Sequence, residues 1–84
     1  RVLSKGEQTR ERILEVAQDA VLNKGFASSS IDEIIAEAGI TKSGFFYHFR
    51  DKNDLAKALL QRYLDFEWRV FDGLFKQADE LSDD

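Results

Sequence analysis

From Thr9 to Lys24, the apolar residues Ile13, Ala17, Ala20 and Val21 fall at i, i+4, i+7 and i+8, which puts them on one stripe of an α-helix and leaves the other faces polar. Thr9 reads as the N-cap of this helix, because its hydroxyl can accept from an otherwise unpaired backbone N–H of the first turn. Asn23, Lys24 and Gly25 form a stop signal: glycine takes the left-handed backbone needed just past a helix, and Phe26 then folds back onto the last turn. In ASSSIDEIIAEAG the helical period restarts. Ser30, with Glu33 three residues on, fits a capping box, and Ile31, Ile34, Ile35 and Ala38 supply the apolar face. Gly39 ends this short helix and Thr41 caps another two residues later. Two short helices about a tight turn are the pattern of a helix-turn-helix.

Asp51, followed by Asp54, opens a fourth helix. Leu55, Leu59, Tyr63, Phe66, Val70, Leu74 and Ala78 recur along it at spacings of three and four, and Leu60, Leu64, Phe71, Phe75 and Leu81 widen the stripe. Gly73 is its weak point, costing roughly 1 kcal/mol relative to alanine in a helix interior. Three short helices cannot cover so much apolar face, so its later half is expected to pack on further chain or on a second copy. The predicted fold is all-α: a three-helix bundle with a helix-turn-helix, followed by a long fourth helix.

Composition narrows the function. The 84 residues suffice for one small domain with little room for an enclosed active site. With 43% hydrophobic and 33% charged residues and no proline, the chain is globular and helical rather than disordered. The lack of cysteine excludes disulfides and thiolate chemistry. No run is apolar enough for a membrane span or a secretory leader, so a cytoplasmic location is expected and no membrane partner. The lack of methionine means that the numbering does not begin at a start codon, and a piece of a longer protein is expected. The net charge of −4 stands against a nucleic-acid partner until its distribution is considered. Residues 1 to 50 hold seven Lys/Arg and seven Asp/Glu, whereas residues 51 to 84 hold five and nine, so the excess acid lies in the tail. One histidine, no cysteine and no glycine-rich phosphate loop leave no catalytic constellation, no metal site and no cofactor site, so no enzyme is expected.

The segment GITKSGFFYHFRDK carries four aromatic rings beside Lys42, His48, Arg50 and Lys52. On a helical wheel Phe45 and Phe49 fall together and point inward, Phe46 lies at the flank, and Ser43, Gly44, Tyr47 and His48 sweep the far side. Aromatic rings commonly fill cores, and that role is assigned to Phe45 and Phe49; for Phe46 both roles stay open. A lone His48 is an ordinary surface imidazole rather than a metal ligand. The outward arc offers hydroxyls, an open backbone at Gly44, a phenol, an imidazole and the nearby Lys42, all suited to base edges and phosphates. Lys42, Arg50 and Lys52 cluster around the helix ends, which favours phosphate contact over scattered solvation. The competing assignment is a helical protein-interaction module using the long apolar helix. Salt separates the two, because phosphate contacts weaken steeply as salt rises and apolar docking does not.

The run ILEVAQDAVLNKGFASSSIDEIIAEAGITKSGFFYHFRDKNDLAKALL resembles the DNA-binding domain of the TetR family of transcriptional regulators. The shared features are Lys-Gly-Phe closing the first helix, a Ser-capped second helix, Ala-Gly-Ile at the turn, an aromatic third helix ending His-Phe, and Lys-Asn-Asp-Leu opening the fourth. They extend without a gap over about residues 9 to 62. The resemblance implies that Thr41, Lys42, Ser43 and Gly44 enter the major groove of double-stranded DNA, with Tyr47 and His48 touching bases or phosphates. Phe46 belongs to the same face, at a position where members commonly carry a tyrosine whose hydroxyl is missing here. Ser30 and Lys52, at helix N-termini that already favour an anion, hold the DNA backbone. Arg10 and the residues before it resemble the family's N-terminal arm. Gly44 loosens the reading helix and removes a side chain, and Ile35 replaces a usual small alanine, so a wider crossing of the second and third helices is expected.

The implied organisation is an arm over 1–8, the DNA-binding domain over 9–67 with its helix-turn-helix at about 30–50, and a segment over 68–84 that leads into a larger helical domain absent from these residues. In the family that domain binds a small-molecule effector and forms a homodimer. The resemblance thus implies a ligand-responsive repressor of a palindromic operator, released when a swing of the long helix changes the roughly 34–36 Å separation of the two reading helices.

Overall fold

The computed structural model describes residues 2–82; Arg1, Asp83 and Asp84, at the outer ends of the expected arm and tail, lie outside the described residues. Four helices follow one another: α1 Lys5–Lys24, α2 Ile31–Ala38, α3 Lys42–His48 and α4 Lys52–Ser82. No strand occurs among the described residues.

α1 starts earlier than the apolar period implies. Ser4 is its N-cap: its Oγ accepts from the Glu7 N–H at 3.2 Å, and the Glu7 carboxylate accepts from the Ser4 N–H at 2.9 Å. This reciprocal pair satisfies donors that a polar first turn would otherwise leave to water. Thr9, expected as the cap, lies inside the helix and donates its hydroxyl to the Lys5 carbonyl at 3.0 Å. From Lys5 onward, the expected arm is therefore the start of α1.

Gly25 follows α1 with φ 86° and ψ 157°, a positive φ as expected but with extended ψ rather than the left-handed helical value. Ser29, buried in the connection to α2, secures that bend by donating its hydroxyl to the Gly25 carbonyl at 2.8 Å and its N–H to the Phe26 carbonyl at 3.2 Å. Gly39 ends α2 in the left-handed conformation, φ 69° and ψ 35°. Beside it, Arg12 of α1 donates from Nε to the Ala38 carbonyl at 2.6 Å, satisfying a group that the end of α2 leaves without a helical partner.

The core is built from Ile13, Leu14 and Ala17 of α1, Ile34 of α2, Phe45 of α3, Phe49, and Leu55 of α4. Leu14 lies outside the single stripe read for α1. It is buried because α1 packs against both α2 and α4, which demands a wider apolar face, while Ala20 and Val21 are only half-buried. Ile35 is half-buried and packs on the core edge.

Asp51 caps α4 by accepting from the Asp54 N–H at 2.8 Å. Past Leu59 the helix leaves the bundle, and Tyr63, Phe66, Trp68, Phe71, Leu74 and Phe75 are exposed. The long axis of the molecule reaches 57 Å, most of it this one helix at about 1.5 Å per residue.

Candidate nucleic-acid interface

α3 is positioned by its rings. Phe45 is fully buried and Phe49, directly after the helix, is 2% exposed, with their ring centroids 5.6 Å apart. Each such side chain contributes about 1.5–3 kcal/mol when fully buried, enough to fix which side of a seven-residue helix faces inward. Tyr47 consequently points out and is 84% exposed. Phe46 takes the flank: it is 42% exposed and meets Phe45 edge-on at 5.2 Å. His48 is half-buried, edge-on to Tyr47 at 4.9 Å, and its ring faces Gly6 of α1, where a Cβ would lie 4.0 Å from its Cε1.

The N-terminus of α3 is organised by Thr41, whose Oγ1 accepts from the Gly44 N–H at 3.0 Å and lies 3.2 Å from the Ser43 hydroxyl. Gly44 has a local reason: a Cβ there would stand only 3.1 Å from that capping oxygen. Lys42 and Ser43 are exposed on this turn, and no carboxylate pairs with Lys42 among the described residues. Thr41, Lys42, Ser43, Gly44, Phe46, Tyr47 and His48 therefore share one short element, with two cationic or imidazole groups, three polar or open backbone positions and two accessible rings.

The remaining expected contacts come from other elements. Ser30 caps α2, its Oγ accepting from the Glu33 N–H at 3.1 Å. The Glu33 carboxylate pairs with Lys24, and this bond holds its pKa below the ordinary carboxylate value, with Ser30 adding to the effect. Lys52 opens α4, and its ammonium sits 4.5 Å above the centre of the Phe26 ring. Arg10 departs from its expected place. It belongs to the body of α1 rather than to an arm, and its guanidinium lies 5.3 Å from the centre of the Phe49 ring. The reason is the early Ser4 cap, which makes the preceding segment helical. Arg50, beside α3, is exposed and directs its backbone N–H to the Asp54 carboxylate at 3.0 Å.

The two ring-held cations were not legible as pairs in the sequence. Phe26 offered one signal, a lone aromatic in an otherwise small and polar connection. Among the described residues no group of three or more His, Cys, Asp or Glu side chains could hold a metal ion, and no helix is long and apolar enough to cross a membrane. An open apolar cleft lies between α1 and α4, lined in part by Leu14, Val21, Leu22, Leu59, Tyr63 and Phe66, and it includes no α3 residue.

The sequence profile described as bacterial regulatory proteins, tetR family, matches residues 13–59. The chain is similar to the HTH-type transcriptional repressor BepR of Brucella suis, 34% identical over 62 residues, which cover 74% of this chain and 30% of that protein. It is also similar to the HTH-type transcriptional regulator AcrR of Shigella flexneri, 41% identical over 49 residues, covering 58% and 23% of the two chains. The crystal structure of a transcriptional regulator of the TerR/AcrR family from Aquifex aeolicus superimposes with a TM-score of 0.71 at 32% identity, covering 77% of this chain and 38% of that one. The chain thus spans less than a third of the length of these curated relatives.

Proposed function

Because the chain belongs to the TetR family of bacterial regulatory proteins, we propose that it is the sequence-reading part of a transcriptional regulator and lays α3 in the major groove of double-stranded DNA. The observation that carries this reading is the two-sidedness of α3: Phe45 is 0% exposed while Tyr47, two residues on, is 84% exposed. Inward rings fix the helix; outward groups are free to meet base edges. Thr41, Lys42, Ser43 and Gly44 face the bases from the first turn, with Phe46, Tyr47 and His48 along the same helix. Ser30, Lys52 and Arg10 contact phosphates and set the register.

The regulator acts as a repressor of a palindromic operator in the cytoplasm. It works as a homodimer assembled through residues beyond this chain, which also bind a small effector. BepR, a repressor by name, supports the direction of control. The exposed face of α4 around Phe66 and Phe75 is the surface left for those further residues.

The test is selection of duplexes from a random library, followed by titration against salt. Recovery of a common half-site motif by this chain, with affinity falling steeply as salt rises, supports the reading. Binding of no duplex at low salt, or capture of helical peptides indifferent to salt, would replace it with a protein-docking role for α4.

A further inference from the structure

We infer that Phe26 is a positioning residue for the interface: its ring holds the Lys52 ammonium where a DNA phosphate can receive it. This inference rests on the proposed DNA-binding reading. Lysine is a flexible point charge on a four-carbon stem, and fixing it on a phosphate ordinarily costs rotamer freedom. Here the ammonium already stands 4.5 Å above an aromatic face, within the range in which the ring quadrupole attracts a cation. The ring occupies one side of the ammonium and leaves its remaining N–H groups for an oxygen.

The ring is itself held. Phe26 lies in a connection tied back on itself: Ser29 is 1% exposed and bonds to both the Gly25 and the Phe26 carbonyls, at 2.8 and 3.2 Å. Gly25, with φ 86°, makes the bend that presents the ring. One residue beyond Ser29, Ser30 caps α2, so the connection that carries Phe26 runs into the start of α2 while its ring meets Lys52 at the start of α4, the two helix N-termini assigned to the DNA backbone. No carboxylate pairs with Lys52 among the described residues, so the ring is the partner that orders it. Phe26 touches no DNA in this arrangement; it acts through Lys52.

The test uses this chain, a duplex of selected sequence and a duplex of random sequence. In the free wild type, the ε-methylene protons of Lys52 are expected upfield of those of the other lysines because of the ring current, and in Phe26→Leu they return to the common position. Lys52→Gln is expected to reduce the magnitude of the slope of log affinity against log salt by about 0.9, the contribution of one phosphate. Phe26→Leu weakens both duplexes several-fold alike while keeping most of the slope, because Lys52 is still charged, whereas Phe26→Tyr, which keeps a ring, retains the wild-type affinity. Adding Phe26→Leu to Lys52→Gln costs no further affinity.

Three results overturn the inference while leaving the DNA-binding reading intact: wild-type Lys52 ε-methylenes with no upfield displacement, a Lys52→Gln slope equal to wild type, or a Phe26→Leu loss that persists in full on the Lys52→Gln background. The proton shifts need no variant, so they decide even where Phe26→Leu fails to fold. A wild type that binds neither duplex at low salt overturns the reading itself, and the inference with it.

Discussion

Arg62 of α4 donates from Nη1 to the Glu11 carboxylate of α1 at 2.7 Å and from Nε to Gln18 at 3.2 Å, bridging two helices whose partners are 51 and 44 residues apart in the chain. The Arg62 and Glu11 side chains retain 32% and 43% of their exposure, so water screens the pair and its stabilisation stays at about 1 kcal/mol or less. Its larger effect is geometric, because it fastens α4 to the reading unit just where the helix leaves the core.

Arg62→Ala is therefore expected to lower the urea midpoint slightly, by the equivalent of about 0.5–1 kcal/mol, while amide exchange speeds up around residues 60 to 66. Hydrogen-exchange mass spectrometry and a urea titration check this. Unchanged exchange in that stretch would show that α4 is held by Leu55, Ala58 and Leu59 alone.

On the proposed DNA-binding reading, Phe45 and Tyr47 separate stability from recognition on one helix. Phe45→Ala leaves a cavity in the core and is expected to cost about 3–5 kcal/mol of stability. Tyr47→Ala, at an exposed position, should change stability by less than about 0.5 kcal/mol while weakening binding to a selected duplex by about 1–3 kcal/mol. Thermal melts paired with anisotropy titrations distinguish the two. Reversed outcomes would mean that α3 is rotated about its axis relative to the bundle.

Gly44 stands where a Cβ would press on the Thr41 capping oxygen at 3.1 Å. Gly44→Ala alone is expected to gain less than the roughly 1 kcal/mol that alanine usually brings over glycine in a helix, because the cap must give way slightly. In a Thr41→Ala background, where the cap is already lost at about 1 kcal/mol, the same change should bring the full gain. A double-mutant cycle from denaturant melts reads the difference; additive effects would show that cap and glycine are independent.

Two carboxylates make the helix starts sensitive to acid. Glu7 is held below the ordinary carboxylate value of 4.5 by accepting from the Ser4 backbone N–H and then by the Ser4 side chain. Glu33 is held below the same value mainly by its bond to Lys24. A lowered folded-state pKa means that the charged form is favoured by folding, so the contribution is fully present above the unfolded-state value and fades as pH falls through the folded-state one. Stability measured from about pH 6 down to about pH 3 should therefore drop more steeply in the wild type than in Glu33→Gln. Parallel curves would show that the Lys24 bond does not persist in solution.

Most of the architecture was legible along the chain. Helix identity, the caps at Ser30, Thr41 and Asp51, the helix stop at Gly39 and the shared face of Phe45 and Phe49 all depend on contacts within about four residues, which is the range over which helical period and capping chemistry act. The start of α1 is also written locally, as Ser4 and Glu7, but it lies outside the apolar period, which begins nearer Thr9.

Other features were decided only when the helices packed. Leu14 is buried because α1 has two neighbours; Arg12 reaches the end of α2; Arg10 and Lys52 settle on rings from different elements. These contacts join residues 26 or more positions apart, and a 3.6-residue period carries no information about which helix will lie opposite a given side chain. Local periodicity specified which faces had to be hidden. Only the mutual placement of α1, α2 and α4 specified which rings would hold the cations left at the surface.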